Sequence, residues 1–295
     1  MRPSPWNKPF GLYAESPLTA SLQLFRRTTS GLTAIDRLAS TGHVNEPQIV
    51  QHTIDQGFDF VNSSEIGGLV QHNGSALPPL SHFRLAAFDM DSTLINIECI
   101  DEIAAAAGKK EEVAAITEAA MRGEITDFKD SLRRRLALLQ GVPVSALEQV
   151  LRERLQFNPG ARELCAALKA AGLKLLLVSG GFTFFTRHVA AELGMDWVRS
   201  NELEIVDGQL TGALVMQPWG EICDGEEKRR MLEQCAAEIG ALPAQCIAVG
   251  DGANDLPMMG AAGLSVAFHA KPRVREQAMV AINAGGLDRL LEVLR

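Results

Sequence analysis

Apolar and polar positions change rhythm several times along the chain, and those changes divide it into elements. Leu22, Phe25, Leu32, Ile35 and Leu38 recur at roughly helical spacing, which predicts a helix over 21–38, weakened at Gly31. A second short helix is expected over 46–54 and a strand over 58–61. Residues 63–82 are rich in Gly, Ser and Pro and read as a linker, with a domain boundary near residue 80. The uninterrupted run Leu85-Ala86-Ala87-Phe88 predicts a buried strand. After Thr93 the period becomes helical and stays so to about residue 156. Four segments (99–108, 111–123, 128–141 and 145–155) each stop at a Gly or a polar turn.

Strands and helices then alternate. Segments 160–172, 185–194, 226–240, 255–263 and 272–278 read as helices. Residues 173–182, 246–250 and 264–268 read as buried strands. Residues 201–215 alternate with period two across Asp207-Gly208, a strong hairpin signal. This predicts an α/β fold, a doubly wound parallel sheet interrupted by an inserted helical cap. The expected domains are a small α/β leader with its linker (1–80) and a larger domain (81–295). The latter comprises a core of 81–96 and 157–295 and a cap of about 97–156.

Composition narrows the function. A formal charge of -8 provides no basic footprint for nucleic acid. The five cysteines are scattered without C-x-x-C spacing, which suits reduced thiols that serve packing. The first residues have no apolar h-region, and no apolar run reaches the ~18 residues that span a bilayer. The expectation is a cytoplasmic protein with no membrane partner. His43, His52 and His72 match no metal spacing.

The chemistry collects at the ends of predicted strands. Phe88 is followed by Asp89 and Asp91, Val178 by Ser179-Gly180-Gly181, and Val249 by Gly250-Asp251-Gly252-Ala253-Asn254-Asp255. Lys228 lies at a helix start between the last two. In an open parallel sheet all these ends share one edge, where ligands bind. Carboxylates from separate loops suit a hard cation such as Mg²⁺. The Ser-Gly-Gly turn offers backbone N–H groups to a phosphate, and a lysine beside it supplies a point charge. Each piece alone has a local explanation: D-x-D-S-T as a polar turn, Lys228 as helix surface, Asp251 as a cap. Their shared position at strand ends favours a site.

These four motifs, Asp89-Met90-Asp91-Ser92-Thr93, Ser179-Gly180-Gly181, Lys228 and Gly250–Asp255, resemble those of the haloacid dehalogenase superfamily. Residues 98–104, Met121-Arg122-Gly123, Phe128, Arg135 and 250–258 resemble its phosphoserine phosphatase family. The resemblance covers about 85–295 and implies a Rossmann-like core with a helical cap. It implies Mg²⁺-dependent hydrolysis of O-phospho-L-serine, a small-molecule substrate, as the last step of serine synthesis. Asp89 would be the nucleophile and Asp91 the acid–base. Asp89, Asp91 (through its carbonyl) and Asp251 would hold the metal. Ser179, Gly180, Lys228 and Asn254 would bind phosphate, and Asp255 would orient Lys228 or a metal-bound water. The alternatives are another phosphatase or phosphotransferase of the superfamily, or a receiver-type switch; a second acid at Asp91 disfavours the switch. A homodimer is left open.

The substrate's ammonium and carboxylate need an acid and a base. At ~100° per residue, Arg135 lies within about 20° of Phe128 on the helix wheel, whereas Arg133 and Arg134 fall over ~100° away. Phe128, Leu132, Leu136 and Leu139 mark the inward stripe, so Arg135 is the expected base. Glu98, near the cap entrance, is the expected acid.

Overall fold

Strands that carry apolar residues on both faces must be covered on both, and this sets the architecture of the larger part of the chain. The computed structural model describes residues 19–28, 31–39, 58–66, 68–72, 77–121, 124–125 and 127–294. The chain forms two compact units, 1–66 and 67–295.

In the first unit, β1 (Thr19–Thr28) pairs antiparallel with both β2 (Gly31–Ala39) and β3 (Phe58–Ile66). The helix expected over 21–38 is therefore two strands. Thr19, Thr28 and Thr33 are β-branched, and Gly31 sits where the chain reverses. Pairing between strands outweighed a weak helical period. The helix expected over 46–54, and Arg122 and Gly123, lie outside the described residues.

In the second unit the composition-based linker contributes a strand, β4 (Leu69–His72). The chain continues through β5 (Leu85–Phe88) into a cap of four helices. These are α1 (Cys99–Ala106), α2 (Lys110–Met121), α3 (Phe128–Leu138) and α4 (Val144–Glu153). It returns through α5 (Ala161–Ala170), β6 (Lys174–Phe182), α6 (Thr183–Leu193) and β7 (Trp197–Asn201). A hairpin follows, β8 (Leu203–Val206) and β9 (Gln209–Leu214). The chain ends with α7 (Gly225–Glu238), β10 (Cys246–Gly250), α8 (Leu256–Ala261), β11 (Leu264–Phe268), α9 (Pro272–Gln277) and β12 (Val280–Ile282).

The sheet of this unit runs β4-β12-β11-β10-β5-β6-β7, parallel throughout except for β4 against β12. Successive side chains of β5 point to opposite layers: Ala86 and Phe88 into one apolar cluster, Leu85 and Ala87 into the other. β6 and β10 divide the same way, which explains their unbroken apolar runs. After β5 the chain builds β6 and β7 on one side, then crosses to β10 on the other. The carboxyl end of β5 is thus the switch point where such sheets bind ligands. The hairpin turns through Asp207 and Gly208 with φ of 50° and 75°, the paired left-handed conformation a two-residue turn requires.

Leu69 and Val70 of β4 are 3% and 9% exposed. Burying each is worth ~1.5–3 kcal/mol. A chain beginning at Gly67 should therefore fold alone and melt about 6–24 °C above one beginning at Leu80. Equal midpoints by calorimetry would show that β4 adds nothing to the unit.

Candidate active site

The backbone leaves β5 with the Asp89 N–H still bonded to Val249 O at 3.0 Å, so Asp89 stands rigidly at the switch point. From there it turns through 90–94, with Ser92 in the left-handed region at φ 56°. The Lys228 side chain, on the first turn of α7, is 0% exposed. Its Nζ donates to Asp89 Oδ1 and to Asp255 Oδ1, both at 2.6 Å. The other Asp255 oxygen, Oδ2, accepts the N–H groups of Asp251 (3.1 Å) and Gly252 (3.0 Å). The Asp255 carboxylate packs where a side chain on Gly250 would stand, so only glycine fits there.

These contacts set the charge balance. Burial would lower the Lys228 pKa, but Asp255 and Asp89 override it, and the amine is held as a cation well above its ordinary range. Burial, followed by the charge of Asp255, lifts Asp89 above the usual carboxylate range. Burial and then Asp255 push Asp251 up to about 7. Asp91 rises to about 8, through burial first and the neighbouring Glu98 second. Its Oδ1 is buried and has no hydrogen-bond partner among the described residues.

Carboxylate oxygens of Asp89, Asp251 and Asp255 all lie within 4.8 Å of one another. Both Asp255 oxygens are already engaged, which leaves Asp89 and Asp251 to offer oxygen to a cation. Clustered carboxylates held above their normal pKa are what a divalent metal relieves, so the residues fit one.

The second wall is the turn at the end of β6. Ser179 Oγ accepts the Gly181 N–H at 2.9 Å. A side chain on Gly181 would stand 3.0 Å from Asp91 Oδ2, so the turn lies directly against that acid. Asn201 locks the wall from behind: its Nδ2 donates to Gly180 O at 2.7 Å, and its Oδ1 accepts the Cys223 N–H at 2.8 Å. Asn254 lies on the loop after β10, its Oδ1 against Gly252.

The cap forms the roof. Phe128 Cζ approaches to 3.0 Å the point where a Gly180 Cβ would be, so the cap meets the core at the Ser-Gly-Gly turn. Leu132, Leu136 and Leu139 are buried, as the wheel requires. Arg133 pairs with Glu221 at 2.5 Å and Arg134 with Asp130 at 2.8 Å, both at the surface. Arg135 is half-buried, and burial lowers its pKa against the opposing charges of Asp101, Glu98 and Asp91. Glu98 Oε1 accepts the Ser92 hydroxyl at 2.7 Å. Two ion pairs, the exposed Arg133–Glu221 and the partly exposed Lys129–Asp224 (3.1 Å), join α3 to the segment before α7.

Asp89, Asp91, Ser179, Gly180, Lys228, Asp251, Asn254 and Asp255 lie around this one edge, with Glu98 against the turn after Asp89 and Arg135 on the cap helix. Sequence reasoning missed Asn201, which ends a strand at the same edge and could have been found by the same rule. It also missed Asn158, whose contacts only the fold shows.

A family model described as haloacid dehalogenase-like hydrolase matches residues 86–260. The chain belongs to that family of hydrolases. Within it, the chain groups with the phosphoserine phosphatases. The phosphoserine phosphatase of Polaromonas sp. is 68% identical over 228 residues, 77% of this chain and 97% of that protein. That of Albidiferax ferrireducens is 69% identical over 220 residues, 74% and 93%. A solved substrate-bound phosphoserine phosphatase complex matches with a TM-score of 0.67 at 39% identity, over 72% of this chain and 99% of that one. A phospho-aspartyl intermediate analogue of phosphoserine phosphatase gives the same values.

Removing Lys228 would leave Asp89 and Asp255 facing each other in a buried site. Lys228→Met, measured by urea unfolding with chelator present, should lose about 3–5 kcal/mol, as breaking a buried pair from one side does. A loss below ~1 kcal/mol would mean the two carboxylates do not depend on the amine.

Proposed function

We propose that this chain hydrolyses O-phospho-L-serine to L-serine and phosphate, the last step of L-serine biosynthesis, through an aspartyl phosphate on Asp89. The observation that carries it is Glu98, held by the Ser92 hydroxyl next to Asp91, with the half-buried Arg135 of cap helix α3 near enough for their charges to act on it. A phosphate ester that bears both an ammonium and a carboxylate is the substrate that uses both charges. Identity of 68% to a phosphoserine phosphatase supports the same choice.

Asp89 forms a bond to phosphorus as the bond from phosphorus to the serine oxygen breaks. Lys228 fixes one Asp89 oxygen and leaves the other to attack. Asp91, raised to about 8, carries a proton at neutral pH and passes it to the departing serine oxygen. Water then attacks phosphorus, Asp91 takes its proton back, and the bond from Asp89 to phosphorus breaks. Ser179, the Gly180 N–H, Lys228 and Asn254 gather the phosphate oxygens. Arg135 suits the substrate carboxylate with its planar fork, and Glu98 the ammonium. Asp89, Asp251 and the Asp91 carbonyl would hold Mg²⁺, which when bound offsets the repulsion between nucleophile and phosphate. The cytoplasm suits the five buried, unpaired cysteines.

A phosphate-release assay over phosphorylated amino acids and sugars tests this directly, and a preference for a sugar phosphate would overturn it. Asp91→Asn should lose ~10²–10⁴ in rate on phosphoserine but far less on p-nitrophenyl phosphate, whose leaving group hardly needs a proton. Equal losses would reduce Asp91 to a metal-site residue.

Arg135→Ala should cost phosphoserine turnover about 2–5 kcal/mol in kcat/KM, while p-nitrophenyl phosphate is spared. Arg134→Ala, whose partner Asp130 lies on its own helix, should alter neither. An Arg134→Ala defect as large as that of Arg135→Ala would remove Arg135 from the pocket.

A further inference from the structure

The two linkers that join cap and core run side by side. Ile95 on the outgoing linker forms an antiparallel bridge with Phe157 on the returning one. The Asn96 N–H donates to Gln156 O at 3.0 Å, and the Gln156 N–H to Asn96 Oδ1 at 3.0 Å. Asn158 comes next. Its side-chain Nδ2 donates to Thr93 O at 2.8 Å and Ile95 O at 3.0 Å, and lies 3.4 Å from Ser92 O. Its backbone N–H donates to Leu94 O at 2.9 Å. A single residue thus meets the successive carbonyls of Ser92, Thr93, Leu94 and Ile95.

Carbonyl oxygens only accept, so the amide must present its nitrogen to them. An NH₂ group has two hydrogens, which matches two short bonds and one long one. Asn158 is itself fixed to the core. Its carbonyl accepts the Ala161 N–H at 3.1 Å where α5 begins, and the next carbonyl, of Pro159, accepts the Leu287 N–H at 2.8 Å. The turn hung from it needs such a hold. Ser92 is a non-glycine residue at φ 56°, and its N–H closes the loop onto Ile97 O at 3.1 Å. Asp91 immediately precedes Ser92, and the Ser92 hydroxyl holds Glu98.

We infer that Asn158 is a positioning residue for the reaction: it suspends the turn after Asp89 from the core, so that Asp91 and, through Ser92, Glu98 face the substrate. No atom of Asn158 is required to touch phosphate. The kinetic part of this rests on the proposed hydrolysis of phosphoserine; the conformational part does not.

The test compares wild type, Asn158→Ala and the milder Asn158→Ser in the full chain. Hydrogen exchange followed by mass spectrometry should quicken in peptides spanning 90–98 and stay unchanged in β10 and β11. Unchanged exchange over 90–98 overturns the inference whatever the substrate is. In kinetics well below the melting point, Asn158→Ala should lose about tenfold or more in kcat on phosphoserine, part of the ~10²–10⁴ that a well-placed acid supplies. On p-nitrophenyl phosphate it should lose less than about threefold, since that leaving group makes little use of Asp91. A fall in melting point with equal or no kinetic loss on the two substrates would show a structural role only and overturn the inference. Should wild type itself release no phosphate from phosphoserine, the proposed function fails, and the exchange data still decide the role of Asn158.

Discussion

Lys228 is an ammonium removed from water and compensated by two carboxylates at 2.6 Å each, Asp89 from β5 and Asp255 from the loop after β10. Burying such a charge unpaired is prohibitive, so the three groups hold one another in place. They reach the centre from three separate elements. The triad is therefore also a tertiary constraint, tying α7, the β5 end and the β10 loop together. Asp255 extends it into the backbone by taking the N–H groups of Asp251 and Gly252, which directs the loop that presents Asp251.

The same economy leaves the site short of positive charge. One ammonium answers Asp89 and Asp255, while Asp251 and Asp91 remain nearby and rise to about 7 and about 8. Asp251 and Asp91 differ in their company: Asp251 belongs to the carboxylate cluster that fits a cation, whereas Asp91 faces the Ser-Gly-Gly turn and Glu98. Two acids of one residue type thus sit in different surroundings in adjoining positions, one among carboxylates that fit a cation and one against the Ser-Gly-Gly turn.

Much of this was legible in the chain because one rule covers it: in a parallel sheet, polar residues that follow apolar runs meet at one edge. Asp89, Asp91, Ser179, Gly180, Asp251 and Lys228 obey that rule or sit beside it. The Asp207-Gly208 turn was legible for a local reason, its need for left-handed backbone. The leader was misread because Leu22 and Phe25 imitate a helical period, whereas pairing such as Leu22 with both Leu38 and Asn62 is decided by residues far away in sequence. Asn158 could not be read as more than a turn residue before Pro159 and Gly160. Its partners lie more than sixty residues earlier and are backbone carbonyls, which leave no mark on residue type.

The seam between cap and core carries a consequence of its own. Arg133–Glu221 and Lys129–Asp224 both cross it, the first exposed and the second partly exposed to solvent. Such pairs are worth ~0–1 kcal/mol each and are screened within about 8–10 Å at physiological ionic strength. The interior triad is shielded from that screening by burial. One molecule therefore contains two electrostatic regimes: a centre indifferent to the surrounding electrolyte, and a roof whose grip on the core follows the salt around it.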